Sequence, residues 1–273
     1  TIWSRKMFKT SILIKTMQEH LKVALVQTHQ LWENPIANRL NLQEKFQEIK
    51  TPVDLIVLPE MFTTGFTMTP QHIDEAEAEK TLFWMREMAE KYNAIIVGSQ
   101  VFFEDSNYFN RLFCVDAKGV LGQYDKRHTF TLAGEDTVYQ KGKTRLQLEV
   151  NGFTICPLIC YDLRFPVWSR NVEDYDVLLY VANWPSPRIL AWDALLKARA
   201  IENMAYCIGV NRIGMDPEGH EYPGHSSVYD VLGNQIVFSE KEEILMANLS
   251  KSHIEKYRNK LKFLDDRDSF IVK

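Results

Sequence analysis

The chain has only four cysteines in 273 residues. So few cannot build a disulfide scaffold, and they are expected as reduced thiols in a cytoplasmic protein. No apolar run approaches the roughly 18–20 residues of a membrane span, so no membrane association is expected. There is no excess of positive charge: 32 Lys and Arg stand against 36 Asp and Glu, for a net charge of −4. A chain without a positive field does not hold a polyanion, which argues against nucleic acid as a partner. No glycine-rich phosphate loop of the ATP or dinucleotide type occurs, so no nucleotide cofactor is implied. His128, His220 and His225 are scattered, and no zinc spacing is present, so no metal is expected. What is present is globular composition, 45% apolar and 25% charged, in a chain long enough to bury a large core.

Residues 1–16, TIWSRKMFKTSILIKT, carry Arg5, Lys6, Lys9 and Lys15 and no acid. Their apolar stretch is too short for a signal-peptide core. They read as an N-terminal extension or an expression remnant, with Met17 as a natural start. Residues 17–273 read as one domain with a charged tail over about 250–273. Strand-like and helix-like stretches alternate through it, which points to an α/β fold. The first half has apolar strand patterns at 22–28, 54–58, 94–103, 111–116 and 119–125. Asn34-Pro35 supplies a helix N-cap and a proline at the first helical position. A second helix begins at Asp74, with Ala78, Leu82, Met85, Ala89 and Tyr92 on its apolar face. The second half repeats the rhythm, with strands at 153–159, 177–182, 206–211, 226–230, 235–238 and 243–249 and a helix near 188–204.

Three reactive side chains follow apolar strands directly. Glu60 follows DLIVLP, Lys126 follows VLGQYD, and Cys160 follows FTICPLI. Strand ends are favoured places for active sites, because a rigid sheet there opens into loops that meet ligand. If the three strands lie side by side, the side chains meet. Their chemistry is coherent. A thiol is mostly protonated at neutral pH and needs a base to attack a carbonyl. A carboxylate can take that proton, protonate the leaving amine and later activate water. A lysine, with a backbone N–H after the cysteine starting at Tyr161, can stabilise the oxyanion. Taken singly, each residue also has a plain structural reading: a loop carboxylate, a surface charge and a packed thiol.

Together, the motifs LPEMFTTGF, YDKRHTF and LICYDLRFPVWSRN resemble those of the nitrilase superfamily, the carbon–nitrogen hydrolases. The similarity continues through VANWP and KARAIENMAYCIGVNR and spans roughly residues 21–249. The wording around the motifs is most similar to the omega-amidase branch. The resemblance implies an α-β-β-α sandwich and a homodimer or larger homo-oligomer. It implies Glu60 as general base, Lys126 as oxyanion-stabilising lysine and Cys160 as nucleophile forming a thioester. It also implies that Glu135, in AGEDTVYQKG, positions Lys126 and the substrate amide. The expected reaction is hydrolysis of the terminal amide of short dicarboxylate monoamides such as 2-oxoglutaramate. Alternatives are another hydrolase of the superfamily, acting on a nitrile, an N-carbamoyl compound or an aliphatic amide, and a binding protein without turnover.

Other features carry weaker expectations. Cys156 and Cys160 would share a strand face, but no further ligand is in register with them. Cys114 and Cys207 sit in apolar strands as core residues. Asp162 and Arg164 are expected to form an ion pair that holds the loop after Cys160. Tyr161, Asn183, Trp184 and Phe66 are candidates to line the pocket. Arg127, Arg188 and Arg212 are candidates to bind a substrate carboxylate, and a buried Lys126 is expected to make the site electropositive.

Overall fold

The computed structural model of the chain describes residues 18–272. The expectations for residues 1–16 and Met17 lie outside that range. In chain order the strands of the first half are β1 (His20–Gln27), β2 (Leu55–Val57), β3 (Ile95–Glu104), β4 (Asn107–Asp116) and β5 (Gly119–Asp125). They are followed by β6 (Leu148–Val150), β7 (Phe153–Ile159), β8 (Val177–Ala182) and β9 (Tyr206–Asn211). The last are β10 (Ile213–Met215), β11 (Glu221–Pro223), β12 (Ser226–Tyr229), β13 (Gln235–Ser239) and β14 (Glu243–Ser250). The helices are α1 (Pro35–Lys45), α2 (Ala76–Tyr92), α3 (Glu135–Val138), α4 (Pro166–Ser169), α5 (Ile189–Asn203) and α6 (Lys251–Leu261).

Two six-stranded mixed sheets form the centre, in the orders β14-β1-β2-β3-β4-β5 and β13-β12-β9-β8-β7-β6. Each has three neighbouring parallel strands, β1-β2-β3 in one and β7-β8-β9 in the other. Strand alternation explains how the layers separate. Val23 and Leu25 of β1, Leu55 and Val57 of β2, and Leu112 and Cys114 of β4 join the core shared with the second sheet. Their neighbours Ala24, Val26, Ile56, Phe113 and Val115 face the other way and pack with Leu42, Trp84, Met85 and Met88 of α1 and α2. Successive strand residues point to opposite faces, so both faces of the first sheet are buried. On the second sheet, a Cβ at Gly209 would lie 2.4 Å from Leu196 of α5, so β9 and α5 meet there without room for a side chain. The result is the expected α/β sandwich of two sheets with helices outside.

Local signals set most boundaries. Asn34 caps α1 by accepting the Ala37 N–H at 3.1 Å, and Pro35 opens the helix. Asp74 accepts the Ala76 N–H at 3.0 Å and starts α2, which ends at Asn93 in the left-handed conformation. The buried stripe of α2 differs from expectation. It runs through Thr81, Trp84, Met85, Met88 and Ala89, with Leu82 and Tyr92 at its margin. The rings of Trp84 and Phe46 meet in this stripe, with centroids 5.8 Å apart.

Candidate active site

Glu60, Lys126 and Cys160 do converge, but not from three adjacent strands. β2 and β5 belong to the first sheet, where β3 and β4 separate them, and β7 belongs to the second. β5 runs parallel to β2 because two antiparallel pairings, β3–β4 and β4–β5, intervene. The two strands therefore release their C-terminal ends at one edge, and β7 and β8 bring theirs to the same place. Each loop is pinned. The Glu60 carbonyl accepts Gln30 Nε2 at 3.0 Å and Asn183 Nδ2 at 2.6 Å. The Lys126 N–H donates to Asn110 O at 3.1 Å, and its carbonyl accepts the Gly142 N–H at 2.9 Å. A Cβ at Gly142 would sit 2.0 Å from the Asp125 carbonyl, so only glycine lets the two segments meet. Met61 and Cys160 hold positive φ of 41° and 43°. Such strain costs about 1–3 kcal/mol per residue and is retained where surrounding structure enforces it.

The floor of the site is ionic and dry. Lys126 Nζ donates to Glu60 Oε1 at 2.8 Å and to Glu135 Oε1 and Oε2 at 3.0 and 2.9 Å. Lys126 is 1% exposed, and both glutamates are fully buried. Glu60 Oε2 accepts the Asn183 N–H at 2.8 Å, and Glu135 Oε2 accepts the Phe130 N–H at 2.5 Å. Burial disfavours the Lys126 charge, but Glu135 and Glu60 overcome it and raise its pKa. Burial and the like charge of Glu60 raise the Glu135 carboxyl, with Lys126 acting against them. The Cys160 thiol is pushed well above its ordinary range by burial and then by Glu60, whose carboxylate is within hydrogen-bonding reach; Lys126 opposes the shift. At rest the thiol is therefore protonated beside an acceptor for its proton. Cys156 is buried in the core, and burial pushes its thiol up to about 12.

Asn110 of β4 was not singled out from the sequence. Its Nδ2 bridges Glu60 Oε1 at 2.8 Å and Glu135 Oε1 at 3.2 Å. The strand pattern read from the sequence began at 111, one residue after Asn110, whereas β4 runs from Asn107 to Asp116 and carries the amide within it. Asp162 likewise departs from expectation, because it forms no pair with Arg164. Its Oδ2 accepts Tyr124 Oη at 2.7 Å and the Ile159 N–H at 3.1 Å. Its Oδ1 accepts the His128 N–H at 3.0 Å and lies 2.8 Å from His128 Nδ1. One buried carboxylate thus ties the residues flanking Lys126 to the residue before Cys160. Arg164 lies instead over the Trp184 ring at 4.9 Å.

The carbon-nitrogen hydrolase family profile matches residues 22–259. The chain belongs to that family. It is 43% identical over 252 residues to omega-amidase YafV of Escherichia coli K12, covering 92% of this chain and 98% of the relative. It is 32% identical over 219 residues to 2-oxoglutaramate amidase of Bacillus subtilis, covering 78% and 84% of the two chains. The crystal structure of XC1258 from Xanthomonas campestris superposes with a TM-score of 0.87 at 37% identity, covering 94% of this chain and all of the other. That CN-hydrolase superfamily protein carries an arsenic adduct in its active site.

In this carbon-nitrogen hydrolase a pocket of about 460 Å³ opens above Lys126 and Cys160, within the range usual for small-molecule sites. All four candidate wall residues, Phe66, Tyr161, Asn183 and Trp184, line it. Phe66 lies 5.0 Å from Lys126 Nζ. Asp216, Glu218, His220 and Tyr222, from the β10–β11 arm, line it as well and were missed. Of the three candidate arginines only Arg188 reaches the wall. Arg127 lies over Trp168 and donates to the Gly142 carbonyl. Arg212 is fully buried, donates to Gln30 O at 3.2 Å, and stacks on Tyr222. The expected electropositive floor is corrected too. Lys126 is outnumbered by Glu60 and Glu135, so attraction for an anion has to come from elsewhere in the pocket.

Proposed function

We propose that the protein is an omega-amidase that hydrolyses the terminal amide of short dicarboxylate monoamides, 2-oxoglutaramate among them, through a Cys160 thioester. The observation that carries the mechanism is the buried Cys160 Sγ beside Glu60, its thiol raised by burial and by the Glu60 carboxylate, with Lys126 held between Glu60 and Glu135. The activities for which the Escherichia coli and Bacillus subtilis relatives are named support the substrate.

In the proposed reaction Glu60 takes the thiol proton as Sγ attacks the amide carbon. The oxyanion is stabilised by Lys126 and the Tyr161 N–H, in a site where fixed donors outperform water. Glu60 passes its proton to the leaving nitrogen, and ammonia departs as the C–N bond breaks. Glu60 then removes a proton from water, which attacks the thioester. The second intermediate expels the Cys160 sulfur, which recovers the proton, and the acid is released. Glu135 and Asn110 hold Lys126 and Glu60 in place. No metal or nucleotide enters this scheme. Among the described residues no helix is long and apolar enough to cross a membrane. Cytoplasmic residence, supported by four unpaired buried cysteines, belongs to the same proposal. So does a homo-oligomeric state, supported by exposed Leu190 and Val167.

Ammonia release from 2-oxoglutaramate, an aliphatic amide, a nitrile and an N-carbamoyl amine tests the reading. 2-Oxoglutaramate is expected to have the highest kcat/KM. A nitrile or simple fatty amide turned over equally fast would remove the omega-amidase assignment and leave the Glu–Lys–Cys mechanism standing.

A further inference from the structure

The pocket wall holds two guanidinium groups without carboxylate partners. Among the described residues Arg39, Arg111, Arg145, Arg199 and Arg267 all pair with acids. Arg164 and Arg188 form no such pair, and both line the cavity above Cys160. Each is half-buried and rests on an aromatic ring: Arg164 on Trp184 at 4.9 Å, Arg188 on Phe130 at 5.2 Å. Trp184 also joins them, because its Nε1 donates to the Arg188 carbonyl at 2.8 Å. Phe130 is fixed in turn against Tyr161, with ring centroids 4.9 Å apart. Ring stacking occupies the faces of the guanidinium planes and leaves their N–H edges to donate.

The acids of the pocket do not quench these cations. Asp216 spends its carboxylate on Tyr222 Oη at 2.9 Å and on the Glu218 and His220 N–H groups at 3.0 and 2.9 Å. Glu218 lies 3.8 Å from His220 Nδ1. At the floor, Glu60 and Glu135 repel any second anion that approaches Lys126. A substrate with a carboxylate at one end and an amide at the other is therefore sorted by charge. Its carboxylate is favoured at the arginines, and its neutral amide is the end left to face Cys160.

We infer that Arg164 and Arg188 form a two-armed fork for the distal carboxylate of a linear monoamide substrate and set the preference of the enzyme for anionic over neutral amides. This inference rests on the proposed amidase reaction and assigns its specificity to two residues.

The test compares kcat/KM for 2-oxoglutaramate with that for pentanamide, a neutral amide of equal chain length, and measures inhibition by glutarate. In the Arg164→Met/Arg188→Met double variant the ratio of the two kcat/KM values is expected to fall by about 10²-fold or more, because a desolvated charge pair is lost. Each single variant is expected to lose about tenfold or more. Arg188→Lys should recover part of the ratio, since it restores charge without the planar fork. Glutarate inhibition should weaken in parallel. Labelling of Cys160 by neutral iodoacetamide at the wild-type rate separates lost recognition from a lost fold. If the methionine variants do not fold, the paired Arg→Lys variants carry the comparison. A double variant that keeps the wild-type ratio and the wild-type glutarate inhibition would overturn the fork while leaving the amidase reading intact. A wild-type enzyme that hydrolyses pentanamide as well as 2-oxoglutaramate would overturn the fork together with the omega-amidase assignment.

Discussion

At the floor of the site, Lys126 is 1% exposed and makes three hydrogen bonds to the carboxylates of Glu60 and Glu135. At the wall, Arg164 and Arg188 are half-buried cations with rings beneath them and no carboxylate beside them. The floor satisfies its charges internally before any ligand arrives, so its geometry is set in advance for charge that develops during reaction. The wall leaves its charges unsatisfied, so a ligand completes it. Changes at the floor should therefore act mainly on kcat and on stability. Changes at the wall should act mainly on binding and choice of substrate.

The largest effect among the supporting residues is expected at Glu60. Glu60→Gln keeps the size of the side chain but removes the base, and kcat should fall by about 10²–10⁴. The same variant sharpens the electrostatic account through pH. Burial and the Glu60 charge both raise the Cys160 thiol, so wild-type iodoacetamide labelling should keep climbing as pH rises above neutrality. Removing the negative charge while Lys126 remains should shift that rise to lower pH, even as catalysis fails. An unchanged labelling profile together with a near-normal kcat would place the base elsewhere.

Lys126→Met comes next. A lost oxyanion donor costs roughly 10²–10³ in kcat. It also leaves two buried carboxylates without their cation, and breaking such a buried set costs about 3–5 kcal/mol. Denaturant unfolding and steady-state kinetics on the same preparation check the two effects together. A stable variant with normal turnover would contradict the description of the floor.

A smaller effect is expected at Asp162, which touches neither pocket nor substrate. Asp162→Asn puts an N–H₂ group where Tyr124, His128 and Ile159 now donate. One unsatisfied buried group costs about 1–3 kcal/mol. The loss should appear in kcat more than in KM, because Lys126 and Cys160 drift apart while the wall stays intact. A variant altered only in KM would assign Asp162 to binding.

The sequence was most legible where burial is simplest. Phe153–Ile159, Val177–Ala182 and Tyr206–Asn211 were read to their final residues because each is an apolar run ending at a reactive or polar side chain. β6, β10 and β11 were not seen, since three residues carry no usable period. Glu60, Lys126 and Cys160 stood out as reactive types at strand ends, and Glu135 through family resemblance. Their meeting depends on how two sheets face each other, which no local pattern encodes. Asn110 and Asp162 were hidden for a related reason: their partners lie 25 to 50 residues away in the chain for Asn110 and up to 38 away for Asp162. Arg188 was one of three equal candidates until its place in the pocket wall separated it from Arg127 and Arg212, which stay outside the pocket lining.

The central claim is that the protonated Cys160 thiol, released by Glu60, becomes the acylated atom. Acid-quenched mass spectrometry during turnover of 2-oxoglutaramate tests this most directly, with peptide mapping of all four cysteines and Cys160→Ala run alongside. The account predicts an acyl adduct on Cys160, none on Cys114, Cys156 or Cys207, and no turnover by the variant. Full turnover by Cys160→Ala, or acylation at another cysteine, would contradict it.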